Sequence, residues 1–297
     1  MRNFVGKVGK GLLATSLAMG AVYAVPEYDP VYAQAAASDY QGHVYQEAID
    51  YVIKNRLMWL YGDGKFYPDA YVTQADLIAS MVALERPQTR VQVPELPDGH
   101  WAKTSYELAR GAGYLNGIEV KPGKQLTREE FAQIVANAWG KYRSRYNSPL
   151  NQYKIQALVD RGVLPAKSGQ FPNGVSTSKY DGITGVTRAE QAGALMFLHK
   201  DYQGIMLGEN LANMFHNSLK ISGGYITGQV PSYSGIDVIL YVLDNHGNTH
   251  TYTGEGVRLK IDQITLMQLS VRPKDSAYIY SKYEYTSLPS LDRVSGR

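Results

Sequence analysis

The stretch GVTRAEQAGAL, residues 185–195, decides how the chain is read. Thr187 stands three residues before Glu190, at the start of an apolar helical pattern. At that spacing the Thr hydroxyl and the Glu carboxylate each satisfy a backbone N–H that the first helical turn would leave unpaired. Arg188 lies between them. One such box says only that a helix begins, but the arrangement recurs. QLTREEFAQIV (125–135) carries it at Thr127, Arg128 and Glu130, and YVTQADLIASMV (71–82) at Thr73, Gln74 and Asp76. The three threonines are 54 and 60 residues apart, close to the upper end of periods that mark an array of one supersecondary unit.

Each box closes a unit of the same order: helix, Gly/Pro-rich connection, capped helix. The first spans 39–87, where Ala48, Ile49 and Ile53, with Val44, hold helical spacing before the loop MWLYGDGKFYPDAYV. Gly62 and Gly64 around Asp63 suit a tight turn with positive φ. The second, 95–142, places Trp101, Tyr106, Leu108 and Ala109 within reach of one helical face and has a loop ending VKPGKQL. In the third, 148–200, an inserted VSTSKYDGI lengthens the interval before Val186.

These strings resemble S-layer homology motifs. HxYxEAIDYV…LYGDGKFYPDAYVTQAD, then DGHWA…LTREEF, then GVL…FP…GVTRAEQ follow that family's pattern in three ordered copies over about 160 of the 297 residues. The resemblance implies three motifs about a pseudo-threefold axis, whose intervening grooves bind a secondary cell-wall polysaccharide, often one with pyruvate ketals. It places Arg128 and Arg188 at the family's basic position, Trp101 at its aromatic one, and Gly62, Asp63 and Gly64 in its loop. The chemistry agrees with an acidic sugar. A helix start offers N–H groups and a partial positive charge to an anion, and arginine adds a planar fork for a carboxylate. The opposing expectation for each arginine is a solvated side chain on an exposed first turn. The first unit departs from the pattern, because Gln74 replaces the arginine. Tyr45 and Tyr153 stand where the second unit has Trp101. The grooves are therefore expected to be unequal, with those of Arg128 and Arg188 strongest.

The ends of the chain set its location. Arg2, Lys7 and Lys10 precede an apolar run, Gly11–Ala24, too short to span a bilayer comfortably. Residues 1–35 read as a secretory signal peptide, cleaved after Ala24 or after Ala35. The formal net charge of +3 falls to about zero with the first cut and about +2 with the second. Neither balance argues for nucleic acid, and the chain has no basic run. Cysteine is absent, which excludes disulfides, thiolate metal sites and cysteine nucleophiles. No later apolar run is long enough to cross a membrane, so the mature protein is expected to be exported and held by something other than a transmembrane helix of its own, which the resemblance implies is noncovalent binding to the wall.

After Tyr202 the pattern changes. Residues 203–218 read as a linker helix, and 219–289 as a small antiparallel sandwich or barrel of five or six strands. Tyr278, Tyr280, Tyr283 and Tyr285 alternate as along one strand face, suited to packing or to stacking on sugars or a protein partner. His246 and His250 flank a turn near Asp244, without a third well-spaced metal ligand. The fold expected is α+β: a helical three-repeat unit followed by a small all-β domain.

No nucleophile motif, phosphate loop or metalloprotease string is present, and no cofactor is implied. The expected function is that of a non-catalytic protein on the wall of a Gram-positive bacterium, held by an acidic, pyruvylated polysaccharide and displaying its β domain. A self-assembling surface-layer subunit is the alternative, with the β domain making the protein contacts. A wall-targeted hydrolase is a third.

Overall fold

The computed structural model describes residues 38–287 and 292–295, so the signal peptide read over 1–35 lies outside the described residues. Two helices come from each third of the helical region: α1 (Gln46–Lys54) and α2 (Gln74–Glu85), α3 (Lys103–Gly111) and α4 (Arg128–Trp139), α5 (Asn151–Asp160) and α6 (Arg188–Ser218). The outer helices are amphipathic. α1 buries Ala48, Ile49 and Val52 and turns Glu47, Asp50 and Lys54 to solvent, the spacing of a helix with one apolar stripe. α2 and α4 form the middle and bury residues on all sides, including Leu77, Ile78, Phe131 and Trp139. Val44 and Trp101 precede their helices and are exposed instead of joining the apolar face.

Capping boxes form at Thr73/Asp76, Thr127/Glu130 and Thr187/Glu190. Just ahead of them, three backbone hydrogen bonds close a ring. The N–H of Val72 donates to the Val186 carbonyl (2.9 Å), Val186 to Leu126 (3.1 Å), and Leu126 to Val72 (2.9 Å). Equivalent residues from three consecutive stretches of chain each give one bond and receive one, which is the pattern of a local pseudo-threefold axis.

The segment read as a separate helix over 203–218 is the second half of α6, which runs unbroken from Arg188 to Ser218. Gly204 and Gly208 lie within this unbroken helix. They let another part of the chain approach: a Cβ at Gly204 would collide with the Tyr280 ring, and one at Gly208 with the Ser281 hydroxyl.

A short hairpin pairs β1 (Gly169–Gln170) with β2 (Ser176–Thr177), the second strand lying in the third unit's insertion. The C-terminal region contains β3 (Lys220–Ser222), β4 (Tyr225–Gln229), β5 (Ile236–Asp244), β6 (Thr249–Tyr252), β7 (Gly256–Lys260), β8 (Ile264–Pro273), β9 (Ser281–Ser287) and β10 (Asp292–Ser295). They make a five-stranded antiparallel sheet, in the order β10-β9-β8-β5-β6, and a three-stranded one, β3-β4-β7. Strand pairing continues past residue 289, because β10 pairs with β9.

Two cores result. The first gathers the helical region up to Leu198, and the second joins Leu211, Ala212 and Phe215 of α6 to the inner sides of the sheets. Tyr283 and Tyr285 belong to this second core. Tyr278 and Tyr280 lie ahead of β9 and pack against the helical region. The four tyrosines are thus packing residues, divided between two surfaces instead of lining one face.

Candidate functional site

The three helix starts are built alike. Behind each threonine, the first helical N–H is taken by a carbonyl of another unit: Gln74 by Lys124 (2.8 Å), Arg128 by Thr184 (2.9 Å), Arg188 by Ala70 (2.9 Å). The second goes to a carbonyl of the same loop: Ala75 to Pro122, Glu129 to Gly182, Ala189 to Pro68. The third is received by the capping hydroxyl in every case. Expectation and structure part here, because these helix starts have no free N–H to offer an anion. The loops of neighbouring units have already satisfied them, as buried backbone donors require.

What each site does present is the side chain of the first helical residue. Arg128 and Arg188 are 0 % and 1 % exposed, so neither is the solvated first-turn side chain that helix geometry alone suggests. Arg128 donates from Nε to the Asp181 carbonyl (2.8 Å) and from Nη2 to that of Pro165 (2.6 Å). Its Nη1 is buried with no hydrogen-bond partner among the described residues. Arg188 donates from Nε to the Phe66 carbonyl and from Nη2 to that of Trp59, both at 2.8 Å. The rings of Tyr61 and Phe66 lie 4.5 and 4.7 Å from its guanidinium carbon, a cation–π arrangement. Burial lowers the pKa of both guanidinium groups; nearby acidic and phenolic groups, Glu190 and Asp181 for Arg128 and Tyr61 and Asp76 for Arg188, work against it.

At the third site Gln74 is equally buried. Its Nε2 donates to the Glu119 carbonyl (2.9 Å), while its Oε1 accepts from the Lys121 N–H and the Tyr106 hydroxyl, each at 2.8 Å. Each helix start is therefore completed by a different loop: α2 by the second unit's, α4 by the third's and α6 by the first's. That cyclic order could not be read from the sequence.

The aromatic residues take their places around this ring. Trp101, 58 % exposed, meets Trp59 edge to face at 5.7 Å and stacks on His100, so it borders the loop that completes the Arg188 site. Tyr45 packs over Gly193, where a Cβ would come within 2.8 Å of its ring, and lies in electrostatic range of Arg128 and Glu190. Tyr153 is exposed on α5.

Gly62, Asp63 and Gly64 form a turn in which the Gly64 N–H donates to the Tyr61 carbonyl. The Asp63 carboxylate accepts the Lys65 N–H (3.0 Å) and the Tyr67 hydroxyl. These bonds lower its pKa, that from Tyr67 most. The carboxylate thus holds the loop in shape. Gly64 has φ +79°, whereas Gly62 has no positive φ, and a Cβ at either would touch nothing within 4 Å. Gly64→Ala is therefore expected to cost about 1 kcal/mol of stability and Gly62→Ala less than about 0.5. Equal shifts in thermal midpoint for the two variants would refute this.

Asp181, which sequence reading passed over, is fully buried in the third unit's insertion. Burial raises its pKa, but hydrogen bonds from the Thr184 hydroxyl and the backbone N–H groups of Gln170 and Ile183 outweigh it, and the net shift is downward. This bonding fixes the carbonyl that receives Arg128. The only advance signal was its place in the inserted segment.

In the β region, Asp244 closes the turn before β6. It accepts the backbone N–H groups of His246 (2.9 Å) and Asn248 (2.8 Å) and contacts His250 Nε2 at 3.0 Å. No group of three His, Cys, Asp or Glu side chains suited to a metal occurs among the described residues. Nor is any helix among them long and apolar enough to cross a membrane.

Of the family models, that of the S-layer homology domain matches, over residues 38–78. No curated protein matches the chain. The matched segment holds α1, the loop that completes the Arg188 site and the first capping box. An S-layer homology domain indicates attachment to the cell wall, and so a cell-surface location.

Proposed function

We propose that all three units are S-layer homology motifs and that together they hold an exported, non-catalytic protein on a Gram-positive wall by binding an acidic, pyruvylated secondary polysaccharide. The observation that carries this reading is the unpaired Nη1 of Arg128. A buried guanidinium nitrogen without an acceptor costs free energy, and a ligand carboxylate that reaches it when the covering side chains shift supplies the acceptor and the opposite charge. Trp101 and Trp59 beside the Arg188 site offer ring faces on which a sugar can stack. Arg188, held by two carbonyls and flanked by two rings, serves mainly to hold that platform. The Gln74 site has its acceptors and donors matched internally and is expected to bind nothing. The carboxylates of Asp76, Glu130, Glu190, Asp63 and Asp181 are engaged in capping or loop closure, which supports binding without bond cleavage.

Cosedimentation with purified wall, before and after chemical removal of its secondary polysaccharide, tests the reading. The parent protein is expected to bind only the untreated wall. Arg128→Gln, which keeps an amide donor for Pro165, is expected to weaken binding about tenfold or more, the worth of one charge-assisted hydrogen bond. Trp101→Ala removes an exposed ring and should weaken binding with little effect on the thermal midpoint. If both variants melt cooperatively and bind as the parent does, this groove chemistry is wrong.

A further inference from the structure

The second half of α6 turns a stripe to solvent: Gln203, Met206, Asn210, Met214 and Asn217. The stripe carries no charge. On α1 the corresponding outward positions are Glu47, Asp50 and Lys54, the usual dress of a solvated helix. Between Lys200 and Lys220 the acidic side chains are Asp201 and Glu209, and both are turned inward, Asp201 onto Arg143 and Glu209 onto the Tyr283 hydroxyl. Met206 and Met214 are 38 % and 60 % exposed. The amides of Gln203, Asn210 and Asn217 make no hydrogen bond among the described residues. Depletion of charge with enrichment of methionine is the composition of a protein interface.

The order of the stripe identifies the partner. It is symmetric about Asn210, with methionine four residues to either side and a carboxamide seven residues to either side. We infer that α6 pairs antiparallel with α6 of a second copy of this chain, on a twofold axis passing beside Asn210. Met206 then meets the other copy's Met214, Gln203 meets its Asn217, and Asn210 meets itself, amide to amide. A twofold interface requires such self-complementarity.

The stripe is about 21 Å long at 1.5 Å per residue, too narrow alone for the roughly 800 Å² per partner of a stable association. Its flanks supply the rest. At the N-terminal end it borders a shallow open groove walled by Leu57, Leu84, Arg86 and Leu207. At the other end Ile221 of β3 is exposed. The same axis brings the Met214 and Ile221 end of each copy against the groove of the other, so this contact is made twice. Paired in this way, the dimer carries two sets of the sites proposed above to bind the wall, and on that reading binding by both multiplies retention without a new contact to the wall.

Sedimentation velocity of the purified protein across a concentration series is expected to show a species of twice the chain mass. Asn210→Glu places two carboxylates face to face at the axis and should weaken association at least tenfold. The register has its own test: Met206→Lys and Met214→Glu should each weaken the dimer, while the double variant, in which each new lysine faces a new glutamate, should restore it. Because the chain has no cysteine, Asn210→Cys should give a reducible covalent dimer under mild oxidation, and Lys65→Cys, on an exposed loop, should not. All these positions are exposed, and unchanged thermal midpoints would show that folding is intact. A monomer at every concentration, or a dimer that Asn210→Glu leaves at full strength, overturns the assignment.

Discussion

Asp201→Ala is expected to lower unfolding stability by about 3–5 kcal/mol, the cost of breaking a buried ion pair from one side. Asp201 sits midway along α6 with its side chain 2 % exposed, and it faces Arg143 from the turn after α4. Its Oδ2 accepts from Arg143 Nε and Trp139 Nε1, each at 3.2 Å. Its Oδ1 accepts from Arg143 Nη2 and the Tyr278 hydroxyl. Arg143 spends its last nitrogen, Nη1, on the carbonyls of Ile279 (3.2 Å) and Tyr280 (3.1 Å). Burial works to lower the arginine's pKa, yet Asp201 more than offsets it and the net shift is upward, so the guanidinium stays charged. Without the carboxylate, a buried guanidinium, an indole N–H and a phenol lose their acceptor together. Asp201→Asn keeps one acceptor oxygen and should cost less, about 1–3 kcal/mol. Denaturant unfolding measures both; an alanine variant within about 1 kcal/mol of the parent would show that the cluster contributes little net stability.

The same cluster is where the two cores meet. Tyr278 sits under Arg161, whose guanidinium carbon is 4.4 Å from the ring centre, and the next residues lie along Gly204 and Gly208 of α6. Loss of Asp201 is therefore expected to loosen the β region from the helical one before either core melts. Limited proteolysis near residues 274–280, in the link between β8 and β9, would report this as faster cleavage at a denaturant concentration that leaves the helical signal unchanged.

What could be read in advance was local. A capping box needs residues three apart, so Thr73, Thr127 and Thr187 announced their helices without knowledge of the fold. Strand alternation marked IDVILYVLD and ITLMQLSV for the same reason, although not that β5 and β8 lie side by side in the middle of one sheet. The site depends on contacts far apart in sequence. Arg188 finds its acceptors at Trp59 and Phe66, more than 120 positions earlier, and nothing near Arg188 says that the first unit's loop will cover it. A solvated first-turn arginine therefore stood as the opposing expectation, and the helix starts read as open to an anion. Gly204 and Gly208 show the same dependence on distant contacts. Their role was invisible in the sequence, because the aromatic ring and hydroxyl that occupy the missing Cβ positions belong to a segment about 75 residues downstream.

Gln74→Arg appears, from sequence, to restore the one helix start that lacks its cation; the structure predicts the reverse, a loss of about 3 kcal/mol or more and no gain in wall binding. At Arg128 and Arg188 the guanidinium Nε meets a carbonyl, that of Asp181 or Phe66. At the equivalent point beside Gln74 the loop presents the Lys121 N–H, a donor, and the Tyr106 hydroxyl also donates to the glutamine oxygen. An arginine here would turn its own donors on that N–H, keeping only the Glu119 carbonyl as acceptor, in a space filled by a smaller side chain. A buried charge without sufficient acceptors and an overpacked site both destabilise. The hydroxyl of Tyr106 can rotate to accept, but the backbone N–H cannot, so at least one donor remains opposed. Denaturant titration of Gln74→Arg decides the matter: a midpoint equal to the parent's, with wall binding increased, would mean that the loop rearranges and that the three helix starts are interchangeable. A lowered midpoint would show instead that residues 119–121 and Tyr106 are matched to glutamine, and that the inequality of the grooves is built into their backbone.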